Sequence, residues 1–433
     1  MTSTRRSFLQ TGATLAVSAA PVTANDRTQV AMIGCGARAH ELMTAIQKHP
    51  GAEIVGVVDA YTGRVERAVE RTGGKAKVFA NYHDVLANKS VDAVVVATPD
   101  HWHRQIILDA VRAGKDVYSE KPLTFTAAQG REIIDAARST GRMVQVGSQG
   151  VSSATQRKAK EIIKAGKIGK VTLIRAAYNR NTASGAWIYP IPPDASPKTV
   201  NWDMFLGPAP KRAFSLERFF RWRCFEDYSG GIATDLFVHL ATTIHFLMDA
   251  KVPSSAMAMG QLYRWKENRD VPDTINGVLE YPEGFAVNLS STFNNQLTAD
   301  GSFQILGTEG SLRIGFGGLT LIPEHVTEDN RWIVESWPKS LEEAYFKDPK
   351  IQQTEIAAAK RPRPKAEEFK DPGPEATVPH FGYFFESIRT RKPYYEDASA
   401  GHHAAAVAHM VNKSAKEKRA VEWDCAKDDI KKA

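Results

Sequence analysis

"TQVAMIGCGARAHELMTAIQKH", residues 28–49, is where the fold is read. An apolar run leads into Gly34-Cys35-Gly36, and apolar residues then recur at helical spacing. This order is strand, glycine turn, helix. "GCGARA" at 34–39 fits G-x-G-x-x-A, with Arg38 inside it as a further candidate contact. Gly34 and Gly36 permit a tight turn and let backbone approach a pyrophosphate at the helix N-terminus. Asp59 closes the next apolar run, "AEIVGVVDA" at 52–60. An acid about twenty residues beyond the glycines accepts both ribose hydroxyls of a dinucleotide. It also repels a 2′-phosphate, which favours NAD, while Arg64 nearby leaves NADP open. The bland alternative is a structural glycine turn with Asp59 capping a helix. Strand, turn, helix and acid in one register favour the dinucleotide site.

Further strands follow in "VDAVVVATPDHWH" (91–103), "DVYSEKPLT" (116–124) and "RMVQVGSQ" (142–149), with helical patterns between them. Strand and helix alternate five times with short connections. The expectation is a doubly wound parallel α/β sheet, a Rossmann domain over residues 27–149. After residue 150 the pattern changes. "KVTLIRAAY", "SSAMAMGQLY", "TINGVLEY", "FAVNLSSTF", "SFQILG" and "SLRIG" alternate and are punctuated by hairpin-like turns. These predict an α+β domain, 150–433, with a large, open, mainly antiparallel sheet. Residues 338–379, rich in Pro, Lys and Glu, read as an irregular surface excursion. "FGYFFESIRTR" and "GHHAAAVAHMVNKSAKEK" read as C-terminal helices packing back on the body.

A chain of 433 residues is too long for one core, and 42% hydrophobic with 24% charged residues fits a folded protein. The net charge of +7 is mild, and no basic stripe interleaves with aromatics, so a nucleic-acid partner is not expected. Cys35, Cys224 and Cys425 are too few and scattered for a disulfide framework or a zinc site, and no metal is expected. Residues 1–24 have a basic start, a short weakly apolar stretch and small residues before Val22-Thr23-Ala24. "TRRSFL" at 4–9 resembles the twin-arginine export motif, with Gln10 where Lys is commoner. The expectation is an exported, periplasmic protein. The alternative is a disordered basic tail. No later stretch reaches the about 18 uninterrupted apolar residues of a membrane span.

Ligands of doubly wound sheets bind outside the carboxyl ends of the strands. "TPDHWH" brings Thr98, His101, Trp102 and His103 there, and "EKP" brings Glu120 and Lys121. "YSGGIATDLFVHLATTIHFLM" at 228–248 places Asp235 and His239 four residues apart on one predicted helix face. A carboxylate beside an imidazole fixes its tautomer and raises its basicity. His239 then accepts a proton from a substrate hydroxyl as hydride leaves the same carbon. An ordinary i,i+4 surface pair is the alternative. His245 falls off that face and is expected in the core.

With these residues assembled, the chain resembles the glucose-fructose oxidoreductase/inositol dehydrogenase/rhizopine-catabolism (Gfo/Idh/MocA) family. The resemblance covers nearly all of residues 28–424 and rests on "GCGARA", "TPDHWH", "EKPLT", "GKIGKV", "NWDMFLGPAP" and "GGIATDLFVH", in that order. It implies sugar or polyol chemistry on a nicotinamide cofactor, and a C-terminal sheet that often makes contacts in a homo-oligomer. By motif it implies Lys121 beside the nicotinamide and the reacting carbon, with Asp235 and His239 completing a Lys-Asp-His set. Residues 101–103 match a cofactor-contacting segment. Tyr178, Asn179 and Arg180 match substrate-pocket positions, with Arg221, Arg223 and Tyr228 as further candidates. Trp187 and Trp202 are expected either to stack on a sugar or to pack in the core. Many relatives carry an acid three residues after the histidine, where this chain has Thr242.

The function implied is NAD(P)-dependent oxidation of a sugar, polyol or glycoside hydroxyl, with a tightly held cofactor. Outside the cytoplasm little free NAD exchanges. Hydride return is therefore a second option: a redox-neutral glycosidase or glycoside lyase that oxidises, eliminates and re-reduces. A non-catalytic sugar-binding protein of the same fold is the third.

Overall fold

Six strands form the first sheet: β1 (Thr28–Ile33), β2 (Ala52–Val58), β3 (Lys77–Val78), β4 (Ala93–Val96), β5 (Asp116–Glu120) and β6 (Val144–Gly147). The structure, a computed structural model, describes residues 27–297, 303–315, 317–325 and 328–432. The expected signal segment, 1–24, lies outside the described residues. The sheet order is β3-β2-β1-β4-β5-β6, with every pairing parallel. Val30 to Ile33 and Val94 to Val96 are all buried. Helices cover both faces, so the inner strands read as continuous apolar runs. β3 was not among the expected strands. It has two exposed residues at the sheet edge and no apolar run to betray it. The order reverses between β1 and β4, and the crevice at their carboxyl ends is where a doubly wound sheet takes its ligand.

The second sheet has ten strands. Val171–Ala177 and Phe285–Thr292 pair in parallel at its centre. Its other pairings are antiparallel. Burial alternates along Thr274–Tyr281, so one face packs on the core and the other is bare. Met257, Met259 and Val278 stand exposed on these strands. The stretch 338–379 is more regular than expected. It forms the helix Lys339–Lys347, and Glu367–Lys370 extends the sheet beside Gly318–Pro323. A solvated helix and an edge strand leave little apolar pattern to read. No helix among the described residues is long and apolar enough to cross a membrane.

The C-terminal helices return to the first domain. Thr377–Thr390 buries Phe381 and Phe384 beside Met32 and Tyr118, and the Phe381 ring stacks on Tyr118 at 4.3 Å. Ala398–Glu417 packs against β6 and against the strand Ser255–Gln261 of the second sheet. A second junction crosses the crevice. Asn201 N–H donates to Ala60 O at 2.7 Å and Thr62 N–H to Thr199 O at 3.0 Å. The Tyr61 hydroxyl donates to Asp194 Oδ1 at 2.7 Å. This clasp ties the loop after β2 to the second domain.

Candidate active site

A cavity of about 1060 Å³ runs along the crevice between the domains. At one end lies the glycine turn. Gly34 has φ +90°, and a Cβ there would stand 2.6 Å from Ala97 O. Only glycine fits that position. Gly36 caps the helix Ala37–Ile46 with no side-chain hydrogen bond. Nothing lies nearer to a Cβ built on it than the Arg64 guanidinium at 3.9 Å. The unpaired N–H groups of the first helical turn therefore border open space suited to an anion.

Asp59 lies beside that turn. Its Oδ2 accepts from Cys35 N–H at 2.7 Å and its Oδ1 from Tyr61 N–H at 2.9 Å. Each oxygen keeps a lone pair for a ribose hydroxyl. Arg64 Nη1 is 3.8 Å from Asp59 Oδ1, and its guanidinium lies 5.2 Å from the rings of both Phe219 and Phe220. The Thr98 hydroxyl is buried without a partner among the described residues, and Thr98 borders the cavity. Cradle, helix end, acid and orphaned hydroxyl together fit a dinucleotide. Gly34, Gly36, Arg38, Asp59, Thr98, Trp102, Glu120 and Lys121 all line the cavity.

His101 and His103 do not line it, contrary to expectation. His101 Nε2 meets Phe205 O at 3.0 Å, and its ring packs on Phe205 and Tyr228. His103 bridges Pro122 O at 2.7 Å and Thr98 O at 3.0 Å. Backbone carbonyls take both rings, so they brace the loops around the site. The Lys121–Pro122 peptide, whose Pro122 carbonyl meets His103, is cis.

Lys121 follows β5 and reaches across the cavity floor. Its Nζ donates to Asp235 Oδ1 at 2.9 Å and to Asp235 O at 2.7 Å. Arg223 Nε donates to the same Oδ1 at 3.0 Å. Burial pushes the Asp235 carboxyl up, but the charges of Lys121, then Arg223 and Arg180, outweigh it and hold Asp235 far below the usual range. Asp235 does not take the expected partner. The backbone over Ala233–Phe237 is a π-turn, and no hydrogen bond joins Asp235 to His239 among the described residues. Charge-assisted bonds from two cations are stronger than one from a neutral imidazole. His239 lines the cavity, and burial, reinforced by Lys121, lowers its pKa to about 3. Its imidazole is neutral at pH 7.

Glu120 steadies the other side. It accepts from Arg38 Nε at 3.0 Å and Gln149 Nε2 at 2.9 Å. Burial raises its pKa, but Arg38 and then Lys121 reverse this and keep it ionised.

Of the expected pocket residues, Tyr178, Arg180 and Arg223 line the cavity. Three others are elsewhere. Asn179 Nδ2 donates to Leu297 O at 2.8 Å, away from the cavity. Tyr228 is fully buried against Phe205. Arg221 Nε holds Tyr189 O at 2.9 Å. Both tryptophans pack with protein aromatics: Trp187 on Phe293 at 4.8 Å, and Trp202 on Phe205 at 5.1 Å. His245 is buried against Tyr281. Tyr189, Trp222 and Gln149 line the cavity unannounced, under a roof of Pro190, Pro192, Phe219 and Phe220. Gln149 follows β6 and was findable by the strand-end rule. The roof segment has no periodicity to read.

Thr242 donates to Val238 O at 2.9 Å and faces the Ser148 hydroxyl at 3.3 Å. The fully buried Glu396 has these two hydroxyls among its polar neighbours, yet neither carboxyl oxygen has a well-formed hydrogen bond among the described residues. A carboxyl group thus reaches the vicinity of position 242 from a distant part of the chain.

Residues 28–148 match a family model described as "Oxidoreductase family, NAD-binding Rossmann fold" (GFO_IDH_MocA). Residues 156–313 match the GFO/IDH/MocA C-terminal domain. An inositol 2-dehydrogenase of Klebsiella pneumoniae is 36% identical over 159 residues, 36% of this chain and 47% of that protein. The match thus spans about half of that relative. A 1,5-anhydro-D-fructose reductase of Ensifer adhaerens is 27% identical over 67% of this chain and 77% of its own. Among solved structures, a levoglucosan dehydrogenase in complex with NADH and levoglucosan superposes with TM-score 0.67 at 18% identity, covering 92% of this chain and 99% of that one. An aldose-aldose oxidoreductase from Caulobacter crescentus, complexed with glycerol, gives 0.66 at 18%, covering 92% and 100%. At such identities the structures speak for the fold alone.

Proposed function

The chain belongs to the Gfo/Idh/MocA oxidoreductase family, with an NAD-binding Rossmann domain, and from that premise we propose that it oxidises a hydroxyl of a sugar, polyol or glycoside. The observation that carries this reading is the meeting of Lys121, Asp235 and His239 in one cavity with the glycine cradle. Bound NAD would supply the acceptor for the hydride leaving the carbinol carbon. Gly34, Gly36 and the first turn of Ala37–Ile46 would hold its pyrophosphate, and Asp59 its ribose. Lys121, fixed twice by Asp235, keeps one N–H for the substrate hydroxyl and orients it. His239, neutral and with no hydrogen-bond partner among the described residues, accepts the hydroxyl proton. Phe219 and Phe220 stand against Arg64 and Tyr61 at the ribose end and would limit water there.

A redox-neutral glycosidase or lyase is the second reading, supported by the clasp and roof, which favour a retained nucleotide. The twin-arginine pattern at 4–9 supports export, where retention would matter most. The exposed Met257, Met259 and Val278 support assembly of copies through the open sheet. One experiment separates the two chemistries. NAD-loaded protein is offered free sugars and glycosides. Accumulating NADH selects the dehydrogenase, whereas released aglycone without net NADH selects the redox-neutral route. Failure to bind either nicotinamide nucleotide would overturn both in favour of a binding protein.

A further inference from the structure

At the substrate end of the cavity the guanidinium groups have nitrogens to spare. Lys121 and Arg223 share the carboxylate of Asp235. Arg180 lines the same space and has no carboxylate within 4 Å among the described residues. Its Nη1 only touches Gly185 O at 3.3 Å, and its guanidinium lies 5.3 Å from the Tyr178 ring centroid. Arg223 uses Nε for Asp235 and lies over Trp222 at 4.2 Å. Its two terminal nitrogens have no acceptor among the described residues. Arg180, Arg223, Tyr189 and Asp235 all line this one cavity. Glu120 lies on the Arg38 side, where it shares that guanidinium with the exposed Glu41, and neither carboxylate pairs with Arg180 or Arg223 among the described residues. Asp100 borders the cavity with its carboxyl buried, and no ion pair joins it to Arg180 or Arg223 among the described residues.

We propose that this site takes an anionic sugar, a hexuronate or a glycoside bearing a carboxylate, with the carboxylate between Arg180 and the free fork of Arg223 and the reacting hydroxyl at Lys121. The inference rests on the oxidation reading above and names its substrate class. A guanidinium fork matches the two oxygens of a carboxylate, which a neutral hydroxymethyl group cannot exploit. Trp222, whose ring already carries Arg223, gives the apolar wall beside the fork.

The test uses full-length NAD-loaded protein and matched pairs: glucuronate against glucose, galacturonate against galactose, and the corresponding methyl glycosides. Two readouts are taken, NADH absorbance in a single turnover and the ligand-induced shift in melting temperature. The expected result is that, within a pair, the acid is favoured at least about tenfold in the single-turnover rate constant of NADH formation at sub-saturating ligand. Arg180→Gln should shrink that ratio about tenfold or more, and Arg180→Lys should restore part of it. Neutral sugars preferred in every pair, or a ratio unmoved by Arg180→Gln, would overturn the assignment. Acids that bind in an Arg180-dependent way without forming NADH would uphold anion recognition and count against the oxidation reading.

Discussion

The Lys121 ammonium meets Asp235 twice, at the carboxylate (2.9 Å) and at the backbone carbonyl of the same residue (2.7 Å). One residue therefore sets both the position and the charge balance of the lysine. Asp235→Asn keeps the carbonyl contact but removes the charge that Lys121 and Arg223 share. Turnover should fall by about 10²–10⁴, and Lys121→Ala should do at least as much. Circular dichroism and NAD binding should stay near wild type. Near-normal turnover in either variant would remove these residues from the mechanism.

His239 is neutral down to acid pH because its pKa is lowered to about 3 by burial and then by Lys121. A base with that folded pKa gives no acid limb between pH 5 and 8. Single-turnover rates should be flat there on its account, and His239→Gln should lower them by about 10²–10⁴ without adding a new inflection. An inflection near pH 6.5 that disappears in His239→Gln would show that the imidazole titrates normally.

His101, His245 and His380 are deeply buried, and burial lowers their pKa values to about 4, 3 and 4. As pH falls below about 6.5, the unfolded chain takes up protons that the folded chain refuses. Stability is therefore lost between about pH 6.5 and 4, by up to about 1.4 kcal/mol per pH unit for each such histidine. Urea midpoints measured from pH 7.5 to 4.5 should drop steeply below 6.5. A flat profile to pH 4.5 would refute this.

Glu396 should act in the opposite sense. Burial, reinforced by the charge of Asp397, lifts its pKa to about 8. The folded chain holds a proton that the unfolded chain releases above about pH 4.5, so stability is present below that pH and lost as pH rises through about 8. Glu396→Gln removes the penalty. It should raise stability by up to about 4 kcal/mol at pH 8 and change it little at pH 4.5. Equal effects at both pH values would mean that packing, not ionisation, dominates.

The first domain was legible because strands buried on both faces read as unbroken apolar runs, and because Gly34 has a conformation only glycine supplies. Lys121, Asp235 and His239 were found by placing residues at strand ends and on one helix face. The set implied by the family resemblance included the Lys121–Asp235 contact, but the expected Asp235–His239 pairing does not form among the described residues. The π-turn at Ala233–Phe237 and the competing Arg223 are three-dimensional facts, and both set where the Asp235 carboxylate goes. His101 and His103 were misplaced for a related reason: a histidine beside a cofactor loop satisfies carbonyls as readily as it touches a ligand. Glu396 reaches Thr242 from the far end of the chain, with no motif to join them.

The clasp of Ala60, Tyr61 and Thr62 on Asp194, Thr199 and Asn201 bears on kinetics. The loop that carries Asp59 belongs mechanically to both domains. With nucleotide bound as proposed, ribose release would require this clasp to open, so a net dehydrogenase would open it once per turnover, whereas a redox-neutral enzyme could turn over repeatedly on one retained NAD.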